Sequence, residues 1–289
     1  MSALPDFLVP LFVPASRPER FEKAAWAGAD AIIIDLEDAV APNAKEQARA
    51  ALRSGFAKVP TLLRVNGIGT PWHNADVAAL SDHDFAAVVI PKAEASRAFE
   101  TLCAALPVPV IALVETTKGL AEVRQIAGIK NVARIAFGSL DFCADLGSAH
   151  NRETLVAVRC ELVIASRLSG LPAPIDGVTM TIDDDAMIAS DARHACEKGF
   201  GGKLAIHPRQ VSAIRTGFAP TPAEAAWAKK VLASVDGAVT IDGAMVDEPV
   251  RIRARTILMR TGNDFLVPGI TLPPSNETSG NDLGALLRK

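Results

Sequence analysis

The chain contains no tyrosine, so no pocket in it can be shaped by one, and aromatic residues make up only 5% of its 289 residues. A formal net charge of −3 leaves it without the basic footprint that nucleic-acid binding requires. No apolar run reaches membrane-spanning length, which speaks against a membrane protein. The opening stretch MSALPDFLVPLFVPASRPER lacks the basic start and small-residue cleavage site of a signal peptide, and a cytoplasmic protein is the expectation. Cys103, Cys143, Cys160 and Cys196 show no CxxC or paired spacing and read as reduced structural thiols, including Cys143 beside Asp141. No internal repeat of solenoid period is present.

What is present is alternation. Short strand-like runs occupy 8–13, 31–36, 61–65, 87–90, 109–114, 132–137, 174–178 and 203–206. Helical segments between them include 17–27, 43–53 and 152–168, each stopping at a glycine, Gly28, Gly55 and Gly170. Runs such as AIII and PVIALV are apolar on both faces, the mark of a doubly covered parallel sheet. Eight such units predict a (β/α)8 TIM barrel, with a doubly wound open sheet as the alternative. An apolar content of 49% suits one large barrel over residues 1–220. From 221 to 289 the pattern changes to a C-terminal helical extension. Helices are expected near 223–234 and 250–259 around the turn-rich GAVTIDGAMVDEP, with a Gly/Pro/Ser-rich flexible tail from about 262.

Glu115 in VIALVETTKGL and Asp141 in RIAFGSLDFCADLG each stand where a strand-like run gives way to a turn. Either alone reads as a helix cap. On consecutive strands of a barrel, the pair aims hard oxygen ligands into one mouth and suits Mg²⁺. The other strand ends carry Ser16 and Arg17, Glu37 and Asp38, Arg64 and Asn66, Lys92, Met180 and His207. Charges of both signs at an apolar barrel's mouth are costly unless something binds them, and this mixture fits an anionic substrate on a divalent cation. Arg64 can fork onto a carboxylate, or pair with Glu37 or Asp38 as a structural ion pair. His207 reads as a hydrogen-bonded strand-end residue, and His73, His83, His150 and His194 have no ligand spacing.

The stretches LFVPASRPERFEKA, DAIIIDLEDAVAP, LLRVNGIGTPW, VVIPKAE, ALVETTKGL, FGSLDFCADLG, GFGGKLAIHPRQV and DGAMVDEPVRIRAR run in order over most of the chain. Together they resemble the citrate lyase beta-subunit-like proteins of the HpcH/HpaI aldolase superfamily. The resemblance implies a trimeric or hexameric (β/α)8 lyase that uses Mg²⁺ and cleaves or forms the bond between a CoA-type thioester and an oxo acid. It places the metal ligands on Glu115 and Asp141, the substrate arginine on Arg64 and an acid/base aspartate on Asp247. By sequence alone Asp247 is a helix N-cap. The resemblance further implies that Asp247 reaches a neighbouring subunit's barrel mouth; with such chemistry, Glu37 and Asp38 are expected to hold metal-bound waters and orient Arg64, and Arg17 and Arg20 to meet the anionic carrier's phosphates. Arg17 and Arg20 read equally as solvated first-turn arginines. One departure concerns selectivity, because relatives place an aromatic where this chain has Thr179. Other readings are an aldolase on free oxo acids, a malyl-CoA-type thioesterase, and a citrate lyase complex subunit with an acyl-carrier partner. SRPER and MVDEP argue against the first of these, since an enzyme without a carrier needs neither.

Overall fold

The computed structural model describes residues 4–235 and 237–261. Eight strands lie in sequence order, all parallel: β1 Pro10–Pro14, β2 Ala31–Asp35, β3 Thr61–Arg64, β4 Ala87–Ile90, β5 Val110–Val114, β6 Val132–Phe137, β7 Ile175–Asp176 and β8 Gly202–Lys203. Backbone bonds from Lys203 N to Leu8 O (2.9 Å), Ala205 N to Pro10 O (3.0 Å) and Phe12 N to Ala205 O (2.9 Å) join the last strand to the first. The sheet is therefore a (β/α)8 barrel, and the open-sheet alternative falls away.

Strand alternation sorts the core into two layers. Ala31 and Ile33 of β2, Leu62 of β3, Val89 of β4, Ile111 and Leu113 of β5 and Ala136 of β6 fill the barrel interior. Their neighbours Ile32, Ile34, Leu63, Val88, Ala112 and Ile135 pack outward under the helices. Each Leu, Ile or Val among them, buried on folding, contributes roughly 1.5–3 kcal/mol. The same alternation carried to the strand ends turns Asp35 and Arg64 inward, and Glu115 follows two residues after Leu113. Arg134, 1% exposed, reaches Phe7 O at 2.9 Å and Ala173 O at 2.9 Å.

Side-chain caps start the helices that follow β4 and β5. Ser96 accepts from Phe99 N at 3.2 Å and Thr116 from Gly119 N at 2.9 Å. β7 and β8 are shorter than the runs 174–178 and 203–206, and their Asp176 and Lys203 enter a buried ionic cluster. Lys203 Nζ meets Asp176 Oδ2 and Asp191 Oδ2, each at 2.9 Å, while Arg159 Nε meets Asp176 Oδ1 at 2.8 Å.

Beyond the barrel come a helix Pro222–Leu232, an antiparallel hairpin of β9 Val239–Ile241 and β10 Ala244–Val246, and a helix Glu248–Met259. Ala228, Val231, Val246, Ala254 and Ile257 form a small core of their own. The hairpin occupies the stretch read from sequence as turn-rich. The tail expected from about 262 lies outside the described residues.

Candidate active site

The carboxyl ends of β2, β3 and β5 bring the mouth residues together. Asp35 and Arg64 are register partners on β2 and β3. Arg64 Nε donates to Asp35 Oδ1 at 2.7 Å and Nη2 donates to Oδ2 at 2.8 Å, a two-point pair with both side chains buried. Asp35 also accepts from Glu37 N at 2.9 Å and Ala39 N at 3.1 Å, which folds the following loop back over the strand end. The guanidinium lies over the Phe12 ring, 4.7 Å from its centroid. Burial opposes its charge, yet Asp35, with Glu37 and Asp38, holds it protonated well above its ordinary range. The forked edge predicted for a substrate is thus taken by Asp35. Nη1 faces Glu37 Oε2 at 2.9 Å and Asp38 Oδ2 at 3.4 Å.

Glu115, 2% exposed, follows β5, and its Oε1 accepts the Lys92 amide at 2.8 Å. Its other oxygen lies over Gly138, the residue after β6, where a Cβ would come within 2.4 Å of Oε2. Only a glycine lets the carboxylate lie there. Asp141 stands half-buried in the first turn of the helix Ser139–Leu146. Burial pushes Glu115 up to about 8, with Glu37 and Asp141 adding repulsion against the pull of Arg64 and the Lys92 amide. Burial likewise lifts Glu37 to about 7, opposed by Arg64 and reinforced by Asp38 and Asp35. Glu37 Oε2 is buried without a properly directed hydrogen bond.

This donor set fits a divalent cation. Among the described residues Asp35, Glu37, Asp38, Glu115 and Asp141 face Arg64, Lys92 and, from behind the β2 loop, Lys45, so the carboxylates outnumber the cations on a set of hard oxygens. Among the described residues no group of three or more His, Cys, Asp and Glu is arranged to hold a metal. Two carboxylates with water or substrate completing the shell is how Mg²⁺ is commonly held.

A second layer fixes the β2 and β3 loops. Lys45 Nζ donates to Leu36 O (2.8 Å), Glu37 O (2.8 Å) and Asn66 Oδ1 (2.6 Å). Asn66 donates in turn to Asp76, which is held by Arg49 at 2.7 Å. Beside these lies a cavity of about 440 Å³, whose lining includes Glu37, Asn66, Trp72 and Lys92.

The remaining predicted residues stand apart. Arg17 pairs with Glu19 at 2.7 Å and Arg20 approaches it at 4.0 Å, both arginines about half exposed beyond β1. Asp247 caps the helix Glu248–Met259, accepting from Val250 N at 3.4 Å, and among the described residues it bonds to nothing at the mouth. Thr179 is buried on Asp191 Oδ2 at 2.6 Å, and His207 Nδ1 accepts from Arg209 N at 3.2 Å. Cys143 is buried, with Ala149 O 3.8 Å away. Sequence reasoning missed Asp35, because it sits inside the apolar run AIIID instead of at a turn. The period-two alternation, which puts it on the face of Ile33, was the available signal.

Comparison with known proteins gives this geometry its context. The citrate lyase subunit beta-like protein of Mycobacterium tuberculosis is 38% identical over 263 residues, covering 87% of this chain and 94% of that protein. The (3S)-malyl-CoA thioesterase of Cereibacter sphaeroides is 32% identical, covering 86% and 93%. The crystal structure of CitE from Mycobacterium tuberculosis, in complex with magnesium, acetoacetate and coenzyme A, superposes with a TM-score of 0.80. It is 36% identical, with 90% of this chain and 99% of that one covered. Residues 8–208 match the HpcH/HpaI aldolase/citrate lyase family, so the chain belongs to that family and is a lyase.

Proposed function

We propose that this chain is a Mg²⁺-dependent carbon–carbon lyase that cleaves, or forms, a hydroxyacyl-CoA-type thioester of the citryl-, malyl- or citramalyl- class into an acyl-CoA and an oxo acid. The observation that carries this reading is Glu115: a buried carboxylate repelled by Glu37 and Asp141, with one oxygen pinned by an amide and the other free over a glycine. Such a group is costly to the fold unless a cation meets it. Glu115 and Asp141 would hold the ion, and Glu37 and Asp38 would orient its waters.

When bound, Mg²⁺ supplies a Lewis acid that polarises the oxo-acid oxygens and a template that orients them. Arg64 Nη1 places fixed positive charge where the oxygen of the breaking bond gains or loses charge, and Asp35 prevents it from turning away. Phe12, stacked beneath the guanidinium, excludes water from its lower face. Asp247 of a neighbouring subunit in a homotrimer or hexamer moves the proton at the thioester carbon, while Arg17 and Arg20 meet the carrier's phosphates. The protein acts in the cytoplasm. A thioesterase reading stands second, supported by the malyl-CoA thioesterase relative; there water attacks the bound thioester instead.

Purified protein with Mg²⁺ and a panel of hydroxyacyl-CoA thioesters decides between them. Release of an acyl-CoA together with an oxo acid, abolished by EDTA and restored by Mg²⁺, is the expected result. Free CoA without an oxo acid means a thioesterase, and no turnover of any thioester overturns the reading.

A further inference from the structure

Lys92 follows Pro91 just beyond β4 and has φ of +49°, a left-handed conformation that glycine adopts without strain and lysine does not. In this conformation its amide reaches Glu115 Oε1 at 2.8 Å. A glycine amide would do the same at lower cost, so the backbone role does not explain a lysine side chain. That side chain is 54% exposed and has no hydrogen-bond partner among the described residues. The carboxylate oxygen nearest to it, Glu37 Oε1, is 3.8 Å away, beyond hydrogen-bonding reach.

The other cations near it are committed. Arg64, held in place by Asp35, Glu37 and Asp38, is assigned above to the oxo-acid half, and Lys118 is paired with Glu94 at 2.7 Å. Lys45 donates to Leu36 O, Glu37 O and Asn66 Oδ1, which uses its whole complement of N–H groups. Lys92, ion-paired loosely with Glu37 Oε1 and hydrogen-bonded through its side chain to no described residue, stands where the acidic mouth opens into the cavity of about 440 Å³. Carboxylates of Glu37, Asp38 and Glu94 share that cavity with Asn66, Thr70 and Trp72, so Lys92 stands as a cation on a mostly acidic wall.

We propose that the Lys92 ammonium binds the thioester carbonyl oxygen and stabilises the enolate that forms there, making Lys92 a catalytic residue. The assignment rests on the lyase reading above. The oxo acid's charge is met by the metal site and Arg64. The charge left to develop is on the thioester oxygen, and a donor that strengthens as it develops accelerates the step. In the condensation direction, the methyl C–H bond breaks and its proton passes to a carboxylate base. The C–H pair becomes the C=C bond, and the carbonyl π pair moves onto the oxygen facing Lys92.

The test is exchange of the acetyl-CoA methyl protons in D₂O, followed by NMR, with Mg²⁺ and the unreactive oxo-acid analogue oxamate bound. Lys92→Met should slow exchange about 10²–10³-fold, the cost of losing one oxyanion donor. Oxamate affinity measured by calorimetry should stay within about twofold, since that half is bound elsewhere. Lys92→Gly keeps the amide, relieves the backbone and should melt no lower than wild type, yet lose exchange to the same degree. Wild-type exchange in both variants overturns the assignment, as does an oxamate affinity that falls in step with exchange. A wild type that neither exchanges protons nor cleaves thioesters sinks the lyase reading, and this assignment with it.

Discussion

Asp35 and Arg64 sit side by side in register on β2 and β3 and join through two parallel bonds of 2.7 and 2.8 Å inside the barrel mouth. The pair decides what Arg64 can do, since its Nε edge is spent on the protein and Nη1 is turned toward Glu37.

Arg64→Lys keeps the charge but cannot hold Asp35 at two points. We expect kcat/KM to fall on the order of 10²-fold or more for every thioester, and kinetics close to wild type would reduce Arg64 to a structural counter-ion. Asp35→Ala leaves a buried guanidinium without its main partner and should destabilise the fold by about 3–5 kcal/mol, measured by urea unfolding. A loss below about 1 kcal/mol would mean that Glu37 and Asp38 suffice.

Gly138→Ala tests the geometry of Glu115 without touching a charged group. The added Cβ falls 2.4 Å from Glu115 Oε2 and 2.5 Å from its Cβ, so the carboxylate must move. The variant should fold, bind Mg²⁺ about tenfold more weakly or worse, and lose turnover. Glu115→Ala and Asp141→Ala should abolish both. Unchanged Mg²⁺ affinity in calorimetry for all of these variants would remove the metal from this site.

pH should act through Glu37 and Glu115, which keep their protons up to about 7 and about 8 in the fold but ionise near the ordinary value of 4.5 when unfolded. Their folded values are raised, so their contribution to metal-free stability is complete below 4.5 and is lost as pH rises through 8. Mg²⁺ needs the ionised forms, so the Tm gained on adding it should grow over that same window. Thermal melts with and without Mg²⁺ check both slopes, and Glu115→Gln should flatten them. A metal-free Tm that rises between 7 and 8 would contradict the assignment of these protons.

If Asp247 completes a neighbouring site, Asp247→Asn and Glu115→Ala proteins, each inactive alone, should recover part of the activity when mixed under subunit exchange. Some interfaces then pair an intact mouth with an intact Asp247. Verified exchange with no recovery would confine Asp247 to capping its own helix.

The amino-acid sequence by itself determined the barrel. β2 to β6 are apolar on both faces, and local alternation and glycine stops are short-range signals that survive without tertiary context. It also marked Glu115, Asp141, Arg64 and Lys92 as strand-end residues, because the turn chemistry beside them is local. Only the tertiary structure decided who meets whom. Asp35 was hidden in an apolar run until register set it beside Arg64, Gly138 mattered only once β5 and β6 were adjacent, and Lys92 proved strained at a φ that no composition reveals. These relations join residues 23 to 29 positions apart, and such pairings are set by sheet register and packing, which local pattern does not encode.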